Sequence, residues 1–440
     1  MSSKEKEKDA DGELQTAKGM RDILGEEWLA YQGFLEKAAE LAIYYGFRPL
    51  ETPILERASL FERGTGADTD IVSKEMYLTR TRGGDTLALR PEFTPSVMRA
   101  YLENGLQAEP QPVMLYSSGP LFRHDRPQRG RYRQFYQFNL DALGTAKAVT
   151  DALIIKLLLT TLGEAGLKNL RLEINSLGDR ECRPIFRREL ANYYRKHARE
   201  LCEDCRERLK TNPLRLLDCK NPKCQALKEA APESVGYLCA ACKSHFREVL
   251  EHLEMLAIPY EINHQLVRGL DYYTRTVFEI FDPTVTNEVG APLALAGGGR
   301  YDYLARALGY KKEVPAVGGA IGLERMMLSP HYRRQPPRII KKPKIFFIQL
   351  SFDAKLKAIS VIEILRQARI PMAQSIAKDS LGTQLGLAEK LAVPHTIILG
   401  QKEALENTVI VRDMQNRSQE VVPLAKLADY LRVNIKHLTK

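Results

Sequence analysis

One segment, residues 119–144, constrains this chain more than any other: GPLFRHDRPQRGRYRQFYQFNLDALG. Its first half is rich in arginine, with Arg123, Arg126, Arg129, Arg131 and Arg133. Asp125 is the only acidic residue between the first and the last of these arginines. A Pro-Gln-Arg-Gly turn sequence lies between these arginines, and β-forming residues follow it. The pattern predicts two antiparallel strands joined by a basic loop.

The second strand of this predicted hairpin alternates in character. Period-two alternation places alternate side chains on one face of a strand, here Arg131, Arg133, Phe135, Gln137, Asn139 and Asp141. Guanidinium groups suit phosphate, a ring suits a base, and an amide plus an acid suit a polar ligand. The face therefore fits a nucleotide, with an exposed basic hairpin as the competing interpretation.

The length and composition indicate a globular protein with more than one domain. The chain has 440 residues, whereas single hydrophobic cores stop growing near roughly 250–300 residues. A formal net charge of +10 is compatible with a polyanionic partner. No run approaches the roughly 18 apolar residues of a membrane span, and the polar N-terminus carries no export signal. We expect a disordered tail over residues 1–17 and a cytoplasmic location.

The order of patterns along the chain predicts an interrupted β-rich domain. A helix near residues 28–46 is followed by a short proline-containing strand and by a hairpin around Gly83-Gly84-Asp85. Further helices are expected near residues 95–104 and 149–164, the second of them after the arginine-rich hairpin. Residues 179–257 are charged, mostly helical in pattern and rich in cysteine, and β patterning returns at residue 258. Beyond a proline-rich linker at residues 331–342, strand and helix patterns alternate, which predicts a separate α/β domain.

Several stretches resemble the motifs of class II aminoacyl-tRNA synthetases. The first helix and strand, ending at Pro53, are similar to motif one, PLFRHDRPQRGRYRQF to motif two, and GGAIGLERMML to motif three. LVRGLDYYTRTVFE at residues 266–279 and AGGGRYDYL at residues 296–304 resemble two signatures of the histidyl-tRNA synthetase family. The resemblance extends over nearly the whole chain from Lys18 onward.

This resemblance implies an α+β fold, in which an antiparallel sheet flanked by helices carries the catalytic site. The catalytic domain would span residues 18–178 and 258–330, interrupted by a helical cysteine-rich insertion at 179–257. Residues 343–440 would form the α/β anticodon-binding domain. The family joins histidine to ATP, releases pyrophosphate and transfers the histidyl group to tRNA(His). The resemblance also implies a homodimer formed through motif one, and Mg²⁺ bound to the outer phosphates of ATP.

The resemblance assigns roles to individual residues. Arg123 and Arg268 would be the catalytic arginines near the α-phosphate, and Arg325 would hold the γ-phosphate. Phe135 would stack on adenine, and Arg131 belongs to the same ATP-binding group. Fixed cations suit this reaction because negative charge grows at phosphorus as the carboxylate attacks.

Histidine would be held by a second set of residues. Glu92, Thr94 and Gln137 match the positions that accept the ammonium group, with Phe93 between the first two. Asp141, Tyr272 and Tyr273 match the side-chain pocket. A buried acid that must find an N–H rejects apolar amino acids, and polar sites of this kind discriminate by roughly 10⁴–10⁵.

This sequence also departs from the family's pattern. Phe93 and Asn139 stand where many relatives have glycine, and Asp141 replaces the glutamate of some relatives. The two larger side chains are expected to narrow the floor of the pocket.

The cysteines come from the sequence alone and not from the resemblance. Two Cys-x₂-Cys pairs and one Cys-x₄-Cys pair lie within the insertion: Cys202 and Cys205, Cys239 and Cys242, and Cys219 and Cys224, with Cys182 apart. Paired short spacings let two thiolates reach one tetrahedral ion, which predicts a structural zinc held by four of the six paired cysteines. Six buried small hydrophobic side chains are the alternative.

Two further functions compete with a synthetase. A regulatory paralogue that senses histidine would lack the C-terminal domain or have lost the arginines, and both are present here. A tRNA-binding domain that used the fold for binding alone would not need the amino-acid pocket. Fold by itself does not separate these functions, so the choice rests on the intact set of site residues.

Overall fold

The computed structural model of the chain describes residues 14–67, 69–338 and 341–434. These residues form two compact units, one extending to residue 337 and the other beginning at residue 338. Most of the expected N-terminal tail lies outside the described residues, and residues 14–17 have no helix or strand. Two residues of the expected linker, 339 and 340, also lie outside them.

One large sheet dominates the first unit. The strands of this unit are β1 (Arg48–Pro49), β2 (Leu55–Arg57), β3 (Leu78–Arg80), β4 (Thr86–Leu89), β5 (Val113–Phe122), β6 (Gln134–Leu143), β7 (Arg171–Ser176), β8 (Glu261–Ile262), β9 (Thr274–Thr286), β10 (Pro292–Arg300) and β11 (Ala316–Gly322). Eight of them form a sheet in the order β1-β5-β6-β11-β10-β9-β7-β8. Its interior pairings are antiparallel, as predicted, and the short edge strands β1 and β8 lie parallel to their neighbours.

The arginine-rich hairpin forms, but its second strand begins later than predicted. β5 and β6 pair antiparallel along their whole lengths, and β6 starts at Gln134. The prediction that Arg131 and Arg133 belong to this strand is therefore wrong. Gln128 and Arg131 close a tight turn through two backbone hydrogen bonds of 3.1 and 2.8 Å, and the Arg133 N–H donates to the Gly19 carbonyl at 2.8 Å. These bonds divert the chain from the strand path before residue 134.

From Phe135 onward the predicted alternation is confirmed. Phe138 and Leu140 of β6 lie in a core with Leu158, whereas Leu143 lies in a second core with Val97. The two cores cover opposite faces of the sheet, because successive side chains of a strand point to opposite sides. The odd-numbered residues of β6 therefore share the face on which the site is expected.

The helices of the first unit cover both faces and supply the insertion. They are α1 (Gly25–Tyr44), α2 (Ala58–Thr65), α3 (Thr94–Glu103), α4 (Ala148–Glu164), α5 (Arg183–Lys196), α6 (Glu203–Thr211), α7 (Pro222–Lys228), α8 (Ala240–Met255), α9 (Leu304–Ala307) and α10 (Leu323–Met327). The predicted helices at 28–46, 95–104 and 149–164 correspond to α1, α3 and α4. Helix α4 packs on β6, β10 and β11, and α1 packs on α4.

Two smaller parts of the first unit also follow from the sequence. The hairpin predicted around Gly83-Gly84 is confirmed, because β3 and β4 pair antiparallel in a three-stranded sheet with β2. Helices α5 to α8 lie between β7 and β8, which are neighbours at one edge of the large sheet. The cysteine-rich segment thus leaves and rejoins the sheet at adjacent strands.

The second unit is a mixed sheet with helices. Its elements are β12 (Ile345–Gln349), α11 (Phe352–Gln367), β13 (Met372–Gln374), α12 (Leu381–Lys390), β14 (His395–Leu399), α13 (Gln401–Glu406), β15 (Thr408–Asp413), β16 (Gln419–Pro423) and α14 (Leu427–Asn434). The sheet order is β13-β12-β14-β15-β16, with β12 parallel to both of its neighbours. The predicted alternation of strand and helix is confirmed. No helix in the described parts of either unit has both the length and the apolar character needed to cross a bilayer.

Candidate active site

A cleft with a volume of ≈ 390 Å³ lies on the face of the large sheet that carries the odd-numbered residues of β6. Most of the residues predicted from sequence line it: Glu92, Phe93, Thr94, Arg123, Arg131, Phe135, Gln137, Arg268, Tyr272, Tyr273 and Arg325. They come from motif two, motif three, the segment before α3 and the segment before β9. The fold thus brings together side chains as far apart in the sequence as Glu92 and Arg325, which are 233 residues apart.

The predicted arginines form a concentrated cationic group. Arg325 is fixed by two backbone carbonyls, with Nε 3.1 Å from the Gly130 oxygen and Nη1 3.1 Å from the Ala294 oxygen. Burial lowers the pKa of Arg325 to about 10, and the nearby charges of Arg131 and Arg123 act in the same direction. Cations held this close together repel one another, so the arrangement favours an anionic ligand.

Arg268 lies against β10 at Gly297, where no side chain projects from the strand. It pairs with Glu279, and its guanidinium carbon is 5.8 Å from the centroid of the Tyr273 ring. Burial lowers the pKa of Arg268, but attraction to Glu279 outweighs this and raises it above the ordinary arginine value. A Cβ at Gly297 would come within 2.7 Å of Nη1, so glycine at this position leaves the space that the guanidinium group occupies.

Arg123 and Phe135 form the part of the cleft nearest the basic loop. The Arg123 guanidinium donates from Nε to the Pro91 oxygen at 2.9 Å and lies 5.3 Å from the centroid of the Phe135 ring. Arg131 pairs with Asp125 at 2.7 Å. The loop acid therefore holds one of the arginines, while Arg123 is held by a neutral carbonyl and keeps its charge available for a ligand.

Acceptors and hydroxyl groups form another part of the cleft. Glu92 is buried and accepts hydrogen bonds from the Thr65 hydroxyl at 2.5 Å and the Tyr272 hydroxyl at 2.6 Å. Burial raises the pKa of Glu92 above its ordinary value, although both hydrogen bonds oppose this shift. The Tyr272 and Tyr273 rings lie side by side, with centroids 4.7 Å apart. This arrangement suits an amino group and a flat polar side chain.

Asp141 differs from the other predicted residues because it does not line the cleft. Its side chain is fully buried, and its carboxylate accepts hydrogen bonds from the Asn139 amide and the Tyr301 hydroxyl. Burial raises the pKa of Asp141 to about 7. The carboxylate lies against β11, where a Cβ at Gly318 would come within 2.4 Å of Oδ1. The buried aspartate side chain thus lies next to Asn139 on the same face of β6, and Asn139 does line the cleft.

The cleft also contains side chains that the sequence did not identify as site residues, among them Glu75, Tyr132, Asn139, Arg215, Asp218, Glu279 and Glu324. Four carried a signal. Asn139 lies on the alternating face of β6 and Glu279 closes the LVRGLDYYTRTVFE motif, while Tyr132 and Glu324 belong to motifs two and three. Arg215 and Asp218 come from the insertion, and Arg215 pairs with Asp70. No sequence pattern links the insertion to the cleft, so these two residues could be placed only by the fold.

The cysteines form two groups rather than one. Cys202, Cys205, Cys219 and Cys224 offer sulfur atoms that all lie within 4.8 Å of one another, and the Cys202 and Cys219 sulfurs are 3.8 Å apart. Four sulfurs at about 2.3 Å from a tetrahedral zinc are separated by about 3.8 Å, so this group fits the ion. Cys239 and Cys242 lie elsewhere, although the sequence left them as candidates for the same site.

Comparisons with known proteins agree with this geometry. A family model described as histidyl-tRNA synthetase matches residues 19–326, and one described as anticodon binding domain matches residues 344–434. The chain is 42% identical over 413 residues to the histidine–tRNA ligase of Dehalococcoides mccartyi, a match that covers 94% of this chain and 98% of that protein. It is 43% identical over 419 residues to the histidine–tRNA ligase of Desulforudis audaxviator, with 95% and 98% covered.

Solved structures give the same result. Apo histidyl-tRNA synthetase of Staphylococcus aureus superposes with a TM-score of 0.76 at 30% identity, covering 95% of this chain and 99% of that one. A Bacillus halodurans structure titled as an ATP phosphoribosyltransferase regulatory subunit/histidyl-tRNA synthetase has a TM-score of 0.61 at 20% identity, covering 89% and 99%. The second likeness concerns the fold alone.

Proposed function

The chain belongs to the histidyl-tRNA synthetase family, and we propose that its cleft activates histidine with ATP and transfers the histidyl group to the 3′ end of tRNA(His). In the first step a histidine carboxylate oxygen attacks the α-phosphorus of ATP, and the bond to pyrophosphate breaks. In the second step a hydroxyl of the terminal ribose attacks the carbonyl carbon, and AMP leaves. The meeting of the arginines with a carboxylate and paired tyrosines in one cleft supports this function.

The arginines would act on the phosphates. We assign Arg268 and Arg123 to the α-phosphate and Arg325 to the γ-phosphate, with Arg131 in the same ATP-binding group. Phe135 would stack on the adenine ring. Because these guanidinium groups are already held by carbonyl or carboxylate partners, little reorganisation is needed as charge grows at phosphorus, which is the main source of such catalysis.

The histidine substrate would occupy the part of the cleft near Glu92. We assign Glu92, Thr94 and Gln137 to its ammonium group, with Phe93 closing the floor between the first two. Tyr272 and Tyr273 would flank the imidazole.

We propose that Asp141 recognises the imidazole through Asn139. The Asn139 amide nitrogen donates to the Asp141 carboxylate, which leaves the Asn139 carbonyl oxygen as the acceptor nearer the cleft. In this arrangement Asp141 is a positioning residue. Asn139 would thus connect the buried acid to the cleft, which Asp141 itself does not line.

Asp141→Ala tests the imidazole pocket. We expect it to abolish histidine-dependent ATP–pyrophosphate exchange while circular dichroism stays unchanged. Asn139→Ala should raise the KM for histidine by about 10-fold or more, the loss of one buried hydrogen bond, and change the KM for ATP by less than about twofold. Asp85→Ala, at an exposed hairpin position, is the matched control. Normal exchange in a folded Asp141→Ala protein would contradict the assignment.

Metal ions enter the proposal in two ways. Among the described residues, both groups of side chains suited to hold a metal lie in or beside the insertion and neither lies in the cleft. We propose that Mg²⁺ arrives coordinated to the phosphates of ATP. We also propose a structural zinc on Cys202, Cys205, Cys219 and Cys224, whose sulfur spacing fits a closed tetrahedral site.

The assembly and location are proposed from the surface and from the reaction. The end of α1 and the region of β2 expose apolar side chains at Ile43, Tyr44, Ile54 and Leu55, all within or next to motif one. Four exposed apolar residues in this short stretch of sequence support a homodimer formed there. We propose a cytoplasmic location because ATP, histidine and tRNA are used together.

A regulatory subunit remains the second candidate in principle, but two observations oppose it. The predicted arginines all line one cleft, and residues 344–434 match an anticodon-binding family. A protein that only senses histidine needs neither the group of arginines nor an anticodon-binding domain.

A further inference from the structure

We propose a second zinc site at the base of the insertion, formed by Asp179, Cys182, Cys239 and Cys242. One ligand atom from each of these residues lies within 4.8 Å of the other three. The group shares no residue with the four-cysteine group, and two of its members, Asp179 and Cys182, were not candidates from sequence. Both zinc sites would be structural, because their ligands are largely buried and leave no open position for a substrate.

The distances between the ligand atoms are already close to those found around a bound zinc ion. The Cys182 and Cys239 sulfurs lie 3.5 and 3.9 Å from Asp179 Oδ1. A tetrahedral zinc with bonds of about 2.3 Å to sulfur and about 2.0–2.2 Å to oxygen separates the two ligand atoms by about 3.5–3.6 Å. Shifts of a few tenths of an ångström would therefore complete the site. Gly178 makes room for it, since a Cβ there would come within 2.5 Å of the Cys182 sulfur.

Helix starts supply the thiolates. Cys182 immediately precedes α5 and Cys239 immediately precedes α8, helices of 14 and 16 residues. The positive end of a helix stabilises the negative charge of a sulfur bound to zinc. The four-cysteine group repeats the arrangement, because Cys202 immediately precedes α6 and Cys205 lies in its first turn. Each Cys-x₂-Cys pair thus belongs to a different site, with the start of its own helix as support.

The charge around the group also fits. Three thiolates and one carboxylate exceed the charge of Zn²⁺, so a neighbouring cation is expected. Arg275 fills this role, since its Nη2 lies 3.5 Å from Asp179 Oδ2 and its guanidinium group also interacts with Cys242. Three sulfurs and one oxygen in a tetrahedral arrangement favour zinc over calcium or magnesium, which prefer oxygen ligands.

The position of the group gives it a structural task. Its ligands lie where the chain leaves the sheet after β7 and where α8 begins the return path. The Arg275 N–H donates to the Gly178 carbonyl at 2.8 Å, and Arg183 donates from Nη1 to the Tyr273 carbonyl at 2.7 Å. The second zinc would therefore hold the base of the insertion against the segment that carries Tyr272 and Tyr273. The four-cysteine zinc would instead organise the small core within the insertion.

Metal stoichiometry of the purified full-length protein tests this proposal. We expect elemental analysis to find two zinc ions per chain in the wild type, one in Cys242→Ser, one in Cys205→Ser and none in the double variant. Retention of all wild-type zinc in Cys242→Ser would overturn the second site. Loss of zinc in Cys242→Ser but not in Cys205→Ser would support the second site and refute the four-cysteine site, so failures of the two proposals can be told apart.

A second measurement covers the case in which Cys242→Ser does not fold. Metal-free wild-type protein reconstituted with Co²⁺ alone should show thiolate-to-cobalt absorption for seven thiolate ligands. Asp179→Cys should retain two ions and raise this absorption to that of eight thiolates. Absorption for four thiolates in the wild type, with no increase in Asp179→Cys, would refute the second site.

Discussion

The active-site cleft and the cysteine-rich insertion each gather side chains of one kind, but they are held in place differently. In the cleft, the fixed partners of the arginines belong to the protein itself: backbone carbonyls hold Arg325, and Glu279 holds Arg268. In the insertion, the cysteines of each group lie among one another, and α6 and α7 are only 9 and 7 residues long. The cleft is thus organised by the sheet before any ligand arrives, whereas we expect the insertion to depend on bound ions.

The difference follows from the size of the two cores. The face covered by α4 has a continuous apolar core, which includes Leu157, Leu158 and Ile174. The part of the insertion from α5 to α7 has a smaller core, in which Cys205, Cys219 and Cys224 pack with a few leucines and aromatic residues. Isolated helices shorter than about 12–15 residues are marginal in water. Metal binding supplies the folding energy that such a small core lacks.

The largest expected effect concerns the cleft and tests whether its arginines are already in place for the reaction. Arg268→Gln should lower the kcat of histidine-dependent ATP–pyrophosphate exchange by about 10²–10³-fold, the range for loss of one fixed donor to a developing charge. Arg306→Gln, at a mostly exposed arginine paired with Glu313, is the matched control. A loss of less than about threefold in Arg268→Gln would show that this guanidinium group does not act in the transition state.

A smaller effect, on the free energy of unfolding, tests what it costs to bury the Asp141 carboxylate next to the cleft. Burial raises the pKa of Asp141 to about 7 in the folded chain, from an ordinary value of about 3.9. The folded state therefore binds this proton more tightly, and its contribution to stability is present at low pH and lost as pH rises from about 4 to 7. Asp141→Asn removes the contribution, so its unfolding free energy relative to wild type should rise between pH 5 and pH 8 by on the order of 1–3 kcal/mol.

Urea unfolding followed by fluorescence measures this difference, because Trp28 is the single tryptophan and lies in α1. Asp85→Asn, at an exposed hairpin position, serves as the control. A constant difference between Asp141→Asn and wild type at the two pH values would mean that the carboxyl group titrates normally in the folded protein.

The smallest expected effect is local and concerns the insertion. Cys205→Ser, or incubation of wild type with a strong chelator, should increase proteolytic cleavage within residues 199–240 by about 10-fold. Amide hydrogen exchange in β6 and β11 should stay slow, because the buried residues that the insertion adds to their core, Phe246, Val249 and Leu253, belong to α8 and lie beyond the cleaved segment. Equal loss of protection in the sheet would show that the two regions unfold together and would remove the contrast between them.

Several features of the site were predictable because they depend on local patterns. Alternation along β6 placed Phe135, Gln137 and Asn139 on one face, and the structure puts all three in the cleft. The same pattern failed at Arg131 and Arg133, because long-range hydrogen bonds to the N-terminal segment and a tight turn end the strand early. The burial of Asp141 outside the cleft was not predictable either, since periodicity gives the face on which a side chain lies but not where along the strand the cleft ends.

The cysteines show the same limit of prediction from local patterns. Short spacing predicted that the thiols meet in pairs. Each Cys-x₂-Cys pair does lie together at the start of a helix, one pair at α6 and the other at α8. The spacing could not predict which pairs meet, so the separation of Cys239 and Cys242 from Cys219 and Cys224, and their grouping with Asp179 and Cys182, emerged only from the fold.

The family, the hairpin, the alternating face and the residues expected to hold phosphate could all be inferred before folding, because each depends on neighbouring residues or on a contiguous motif. Only the folded chain shows that Arg123, Arg268 and Arg325 share one cleft, that Asp141 is buried next to Asn139 outside that cleft, and that residues of the insertion reach it. The physical reason is that local sequence fixes backbone preference and side-chain periodicity. Which distant groups become neighbours is set by strand order and by the packing of whole elements.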